Sequence, residues 1–218
     1  MRYFLLFLTI YAICTNSYAK TVKVAVIDTG ISSLAEKSLK VCEKHDFSNT
    51  GPEDHHGHGT NVAGLIGLEN KDIDYCLIIL KYMDRPGLNT ESYLKALKKA
   101  VELKPDVLNL SLGGFSFLKE EAVYIKQLLD NGTEIVVSAG NENMNLNLGC
   151  NYYPACLDKR LHVIGNISQS NYGRIVDVVI DGQNKQAFNI VLSGSSQSAA
   201  LYTKYLIRNL YERQKSKN

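Results

Sequence analysis

Short apolar strands separated by amphipathic helices predict an α/β fold, with a mainly parallel central sheet covered on both faces by helices. Three observations carry this expectation. Val22-Lys23-Val24-Ala25-Val26-Ile27 is a β-branched, apolar run of the kind that forms a buried strand. Similar runs recur at 75–82, 106–112 and 134–139, with helical patterning between them. In 117–131, Leu118, Ala122, Ile125, Leu128 and Leu129 fall at helical spacing and give one apolar face.

Taken in order, the chain starts with Arg2, a short apolar run from Phe4 to Cys14 and the small-x-small pattern Ser17-Tyr18-Ala19, so residues 1–19 read as a secretory signal peptide. The run is short of the ~20 apolar residues a membrane-spanning helix needs, and bulky Ile13 argues against lipid anchoring at Cys14. The expectation is a secreted or periplasmic protein without stable membrane insertion. Strands are predicted at 22–28, 41–47, 75–82, 106–112, 134–139 and 161–166, with short ones near 175–180 and 187–192. Helices are predicted at 58–68, 90–103, 117–131 and 196–212. No repeat or linker divides 20–218, whose length suits one domain with a substantial core.

Removing the signal lowers the 24 basic residues to 23 against 22 acidic, a net charge of about +1, which does not suggest a nucleic-acid partner. Arg208, Arg213, Lys215 and Lys217 read as a solvated helix tail. Without Cys14, four cysteines remain: Cys42, Cys76, Cys150 and Cys156. An even number in an exported protein favours two disulfides, and sequence alone allows three pairings.

Four stretches carry candidate chemistry. Asp28-Thr29-Gly30 ends the first strand with a carboxylate; Gly57-His58-Gly59-Thr60-Asn61-Val62-Ala63-Gly64 sets a histidine between glycines at the start of an apolar helix. Ser138-Ala139-Gly140-Asn141-Glu142 ends another strand in an amide, and Ser193-Gly194-Ser195-Ser196-Gln197-Ser198-Ala199 runs through a tight turn into a helix. Taken singly, each has a bland account as a cap, a loop brace or a satisfied histidine; their joint occurrence reverses that balance. Asp54, His55, His56 and His58 lack the i, i+4 spacing of a helical zinc motif, and no metal centre is expected. His45 and His162 read as structural or surface groups.

The four stretches resemble the signature blocks of the subtilisin-like serine proteases, in that family's order of Asp, His, Asn and Ser. Leu108-Asn109-Leu110-Ser111-Leu112-Gly113-Gly114 is similar to the family's substrate-binding strand, Tyr153-Pro154-Ala155 to its pocket wall, and Ser170-Asn171-Tyr172-Gly173 to the segment before the last strands. The resemblance implies a three-layer αβα subtilisin-like fold and a catalytic set of Asp28, His58 and Ser196. Asn141 and the Ser196 N–H would form the oxyanion hole. An extended polypeptide substrate would be held by Ser111, Leu112 and Gly113, with Gly87 and Leu88 opposite and Ala139, Gly140 and Tyr153 along the groove. The sheet it implies makes the second and third strands neighbours, so that Cys42 would join Cys76 while Cys150 and Cys156 close a short loop.

The chain also departs from the family pattern. Ser195, Gln197, Ala200 and Asn61 stand where threonine, methionine, proline and histidine are usual; Gln197 needs partners if buried. Lys20-Thr21 leads almost directly into the first strand, where the family's secreted members carry a prodomain. The segment from Gly64 to Cys76 is shorter than the calcium-holding loop of many relatives, so no cofactor is required and calcium is optional. The leading function is a monomeric secreted serine endopeptidase acting through an acyl-enzyme. The alternatives are a pseudo-protease that binds peptides or a protein partner in the same crevice, and a small-ligand α/β domain. The last lacks a glycine-rich phosphate motif after the first strand.

Overall fold

The computed structural model describes residues 20–84 and 89–216. The expected signal peptide and the predicted groove residues Gly87 and Leu88 lie outside the described residues. In chain order the elements are β1 (Val22–Asp28), α1 (Ser33–Ser38), β2 (Val41–Asp46), α2 (His58–Gly67), β3 (Tyr75–Lys81), α3 (Thr90–Leu103) and β4 (Val107–Leu110). There follow α4 (Lys119–Asp130), β5 (Glu134–Ser138), a 3₁₀ turn at Leu146–Leu148, β6 (His162–Asn166), β7 (Val178–Ile180), β8 (Lys185–Ala187), β9 (Ile190–Leu192) and α5 (Ser195–Lys215).

Seven strands form one parallel sheet in the order β2-β3-β1-β4-β5-β6-β7. Strand alternation decides which helix layer each side chain meets. On β1, Ala25 and Ile27 join Tyr93, Ala96 and Leu97 of α3 and Ile125 and Leu128 of α4 on one face. Val22, Val24 and Val26 join Val62 and Ile66 of α2 and Ala199, Ala200 and Ile207 of α5 on the other. Both faces are therefore apolar, and the expected three-layer α/β architecture is what the chain adopts. Burying a Val, Leu or Ile side chain contributes about 1.5–3 kcal/mol, so the two layers of core dominate stability.

Three differences from the sequence reading have local causes. The helix α1 was not expected: it is six residues long, too short for a periodic signal, and it rests on the Ser32 hydroxyl accepting from Ala35 N–H at 3.3 Å. The strand expected at 187–192 is instead an antiparallel hairpin of β8 and β9, because Phe188 and Asn189 take φ of 53° and 33° and reverse the chain. The strand expected at 175–180 starts only at Val178, after a turn in which Val176 N–H donates to Gly173 C=O at 3.1 Å.

Strand order changes direction between β1 and β4, the place where an open α/β sheet leaves a crevice beyond its carboxyl ends. Asp28 ends β1 there and Ser111 follows β4. A cleft of about 300 Å³ opens at this point, lined by Asp28, His56, His58, Tyr82, Met83, Ser111, Leu112 and Gly113.

Candidate active site

The site has an acid–base half and an alcohol half, each built from distant sequence. In the first, the buried Asp28 carboxylate accepts from Thr29 N–H at 2.7 Å and lies 2.8 and 3.0 Å, through its two oxygens, from His58 Nδ1. His58 is the first residue of α2. A Cβ on Gly59 would lie 2.4 Å from Gly30 C=O, so glycine there is what lets the helix start press against the end of β1. Burial disfavours the imidazolium, but the charge and hydrogen bond of Asp28 outweigh it, and the His58 pKa is raised above 6.5.

A second carboxylate holds this half in place. Asp54 is buried and accepts from Thr29 Oγ1 at 2.9 Å, His56 N–H at 3.0 Å, Gly57 N–H at 2.8 Å, Thr60 N–H at 2.8 Å and Thr60 Oγ1 at 2.6 Å. Two of these donors belong to the entry turn of α2, and an anion suits the positive end of the helix. Burial would raise the Asp54 pKa, yet the bonds from Thr60, Gly57 and Thr29 hold it below its ordinary value. Thr29 also accepts from Gly59 N–H at 2.8 Å, closing a net from Asp54 to the helix that presents the imidazole. The sequence reading weighed Asp54 only as a metal ligand beside the histidines. The signal that finds it is an acid just ahead of a helix start, followed by Thr60.

In the alcohol half, Ser196 lies in the first turn of α5, and its N–H has no partner among the described residues. Its hydroxyl donates to Ser111 C=O at 3.0 Å, while Ser111 Oγ lies 3.0 Å from Ser196 C=O and 2.9 Å from Asn109 Oδ1. Ser196 is thus held against the strand exit that lines the cleft, with its proton on a carbonyl and not on His58. Asn109 is tied in turn to Thr203 Oγ1 at 2.9 Å, so β4 and α5 are locked behind the two serines.

The Asn141 side chain is oriented from the same helix. Its Oδ1 accepts from Ser195 N–H at 2.8 Å, which leaves Nδ2 without a partner among the described residues. Gly194 makes this contact sterically accessible: its φ is 145°, and a Cβ would sit 3.0 Å from Asn141 Oδ1. The Ser195 hydroxyl accepts from Gly140 N–H at 3.2 Å. Asn171 braces the same loop, donating to Ala139 C=O at 2.9 Å and Glu142 Oε2 at 2.8 Å and accepting from Met144 N–H at 2.9 Å. The sequence reading quoted the Asn171 segment without a role for it; three long-range contacts supply one.

Along the groove, the N–H groups of Leu112 and Gly113 have no backbone partner among the described residues, whereas Gly114 and Tyr153 exchange bonds of 2.9 and 2.7 Å. A short free edge of two N–H donors therefore follows the end of β4 beside the cleft, while Leu112 C=O accepts from Ser138 Oγ at 3.2 Å. Two departures from the family pattern meet each other: Gln197 Nε2 donates to Asn61 Oδ1 at 3.2 Å, and Asn61 Nδ2 donates to Lys185 C=O and Ile190 C=O at 3.0 Å each. The buried amide thus has a partner, and the helices of His58 and Ser196 are joined through it.

Bridges join Cys42 to Cys76 across β2 and β3, and Cys150 to Cys156, each with Cα atoms 5.6 Å apart. The short segment after α2 is tied to α5 by Lys204 to Glu69 at 2.7 Å and Arg208 to Asp72 at 2.7 Å. His162 pairs with Glu134 at 2.7 Å, away from the cleft. Among the described residues there is no helix long and apolar enough to cross a membrane, and no group of three or more His, Cys, Asp or Glu placed to hold a metal.

A family model described as Peptidase_S8, Subtilase family, matches residues 19–215. The Major intracellular serine protease of Bacillus subtilis (strain 168) is 30% identical over 192 residues, covering 76% of this chain and 59% of its own length. Subtilisin E of the same organism is 30% identical over 184 residues, covering 76% and 48%. The Extracellular serine proteinase of Thermus sp. (strain Rt41A) is 31% identical over 173 residues, covering 73% and 41%. The chain thus spans roughly half the length of these relatives. Among solved structures, a cold adapted subtilisin-like serine proteinase superposes with a TM-score of 0.76 at 22% identity, covering 91% of this chain and 78% of its own. A lanthipeptide protease does so with a TM-score of 0.77 at 20% identity, covering 89% and 74%.

Proposed function

Because the chain belongs to the subtilase family, matched over residues 19–215, we propose that it is a serine endopeptidase that hydrolyses polypeptides through Asp28, His58 and Ser196. The observation that carries the reading is the Asp28–His58 pair at 2.8 Å, beside a cleft that Ser111 and Leu112 also line. Asp28 fixes the imidazole with Nδ1 toward the carboxylate, so that Nε2 is free to take a proton. The mechanism requires Ser196 Oγ to leave Ser111 C=O for that nitrogen; catalytic hydrogen bonds often form only when substrate is bound. Ser196 Oγ then attacks the scissile carbonyl carbon, and His58 takes the hydroxyl proton. The tetrahedral oxyanion is met by Asn141 Nδ2 and the Ser196 N–H, which have no partner among the described residues and lie beside the start of α5. Collapse expels the amine, which receives the proton from His58, and water repeats the sequence on the acyl-enzyme.

An extended substrate pairs with the free edge at Leu112 and Gly113, a mode that accepts many sequences. In this reading the protein works as a monomer outside the cytosol after loss of residues 1–19, needs no cofactor, and treats calcium as optional. The relatives' names include both intracellular and extracellular enzymes, so export rests on the N-terminal pattern. A pseudo-protease is the second reading, favoured by the Ser196 hydroxyl resting on Ser111 C=O. Labelling with a fluorophosphonate, mapped by mass spectrometry, and hydrolysis of an unfolded protein separate the two. Modification of Ser196 with turnover abolished in Ser196→Ala is expected. A folded protein that is neither modified nor active while still binding peptides overturns the enzyme reading in favour of the second.

A further inference from the structure

A second cavity, of about 230 Å³, shares Leu112 and Gly113 with the catalytic cleft. Its walls include Tyr93 of α3, Phe115 and Tyr153, and Glu121 of α4 reaches into it. Glu121 takes no part in the proposed chemistry, yet it is a carboxyl group with 2% of its residue surface exposed. One oxygen accepts from Tyr93 OH at 2.6 Å; the other has no hydrogen bond, and the carboxyl has no ion pair, among the described residues. Burying a carboxylate without a cation costs several kcal/mol, and the group answers by holding its proton: burial pushes its pKa up to about 7, with the Tyr93 bond pulling the other way.

Such a site is incomplete in one specific way. Tyr93, Phe115 and Tyr153 give it aromatic walls beside Leu112 and Leu118, and Glu121 gives it an acid with one oxygen unbonded among the described residues. An aliphatic stem suits the walls, a cation suits the ring faces, and a guanidinium or ammonium supplies the missing partner of the carboxylate.

We propose that the Glu121 cavity is a specificity subsite for an arginine or lysine side chain of the peptide whose backbone pairs with Leu112 and Gly113. This rests on the reading of the cleft as a peptide-binding groove. The aromatic walls take the stem, Glu121 Oε2 takes the charge, and the side chain enters where the free strand edge passes the cavity mouth.

The test uses the full chain carrying Ser196→Ala, so that binding is read without turnover. Fluorescent extended peptides carry arginine, glutamine, glutamate or leucine scanned through each position, at pH 8. Arginine at one position is expected to bind at least about tenfold tighter than glutamine there, with glutamate weaker still. Adding Glu121→Gln should erase that preference, and Glu121→Leu should replace it with a preference for an apolar side chain. Equal affinity for arginine and glutamine at every position overturns the subsite even without the Glu121 variants, as does a preference that survives Glu121→Gln. Absence of binding by any peptide overturns the subsite and the groove together. A protein that binds with the expected preference but is never labelled at Ser196 keeps the subsite and loses the protease reading.

Discussion

The two halves of the site are held with different firmness. Asp28 and His58 meet through contacts of 2.8 and 3.0 Å, and Asp54 receives five hydrogen bonds that fix the turn carrying the imidazole. Ser196, by contrast, has one hydroxyl bond among the described residues, to Ser111 C=O, which a side-chain rotation breaks. Asn141 stands between the two cases: Oδ1 is anchored to Ser195 N–H and Nδ2 is left free. A group that orients can be locked before substrate arrives, whereas a group that forms and breaks a covalent bond needs a second position. The fold places its redundancy accordingly, on the acid–base side.

That contrast can be broken at graded cost. Asp28→Asn keeps the shape but removes the charge that fixes the His58 tautomer, and kcat measured with a peptide substrate should fall on the order of 10⁴-fold with little change in fold. Asn141→Ala removes one oxyanion donor and should lower kcat about 10²–10³-fold with KM nearly constant; an equal rise in KM would mean that the amide binds ground state and transition state alike. Asp54→Ala leaves buried donors unsatisfied in the α2 turn and should lower unfolding free energy in denaturant titrations by about 3 kcal/mol. Because it acts through His58, it should also lower kcat, and Asp54→Asn, which keeps one of the two acceptor oxygens, should recover part of that activity while a merely structural role would recover stability alone. The smallest effect belongs to the amide pair joining the halves: a double-mutant cycle over Asn61→Ala and Gln197→Ala should give a coupling of about 1 kcal/mol, and additivity would show that the helices are held together without it.

Much of this architecture was readable before any coordinates. The central strands of the parallel sheet announce themselves by apolar runs, unlike the edge strand β2, and the ends of those runs give Asp28 and Asn141, because a polar side chain after a buried strand lies at the sheet's carboxyl rim. The turn before α5 is legible in Gly194, whose φ of 145° excludes other residues. What was not legible depends on contacts far apart in sequence. The Asn141 amide is oriented by Ser195, Gln197 finds its partner in Asn61, and Glu121 is buried by Tyr93, none of which local spacing encodes. The same holds for Asp54, which has no role in the sequence pattern and becomes a helix brace once Thr29, Gly57 and Thr60 converge on it. The hairpin of β8 and β9 escaped notice because Phe188 is a poor sequence marker for a positive φ.

The central claim is that His58, whose protonated form the Asp28 carboxylate stabilises, must lose its proton before Ser196 can react. Burial lowers its pKa and the Asp28 carboxylate raises it more, so the protonated form persists above pH 6.5 and the reactive neutral form accumulates as pH rises through the shifted value. The most direct measurement is the rate of fluorophosphonate labelling of Ser196 as a function of pH, in the wild-type protein and in Asp28→Asn. The expected wild-type rate rises through one ionisation with its midpoint above 6.5 and then levels off, and in Asp28→Asn the midpoint drops, because burial is then opposed only by the more distant charge of Asp54. A rate independent of pH, or a midpoint that Asp28→Asn leaves in place, would contradict the account.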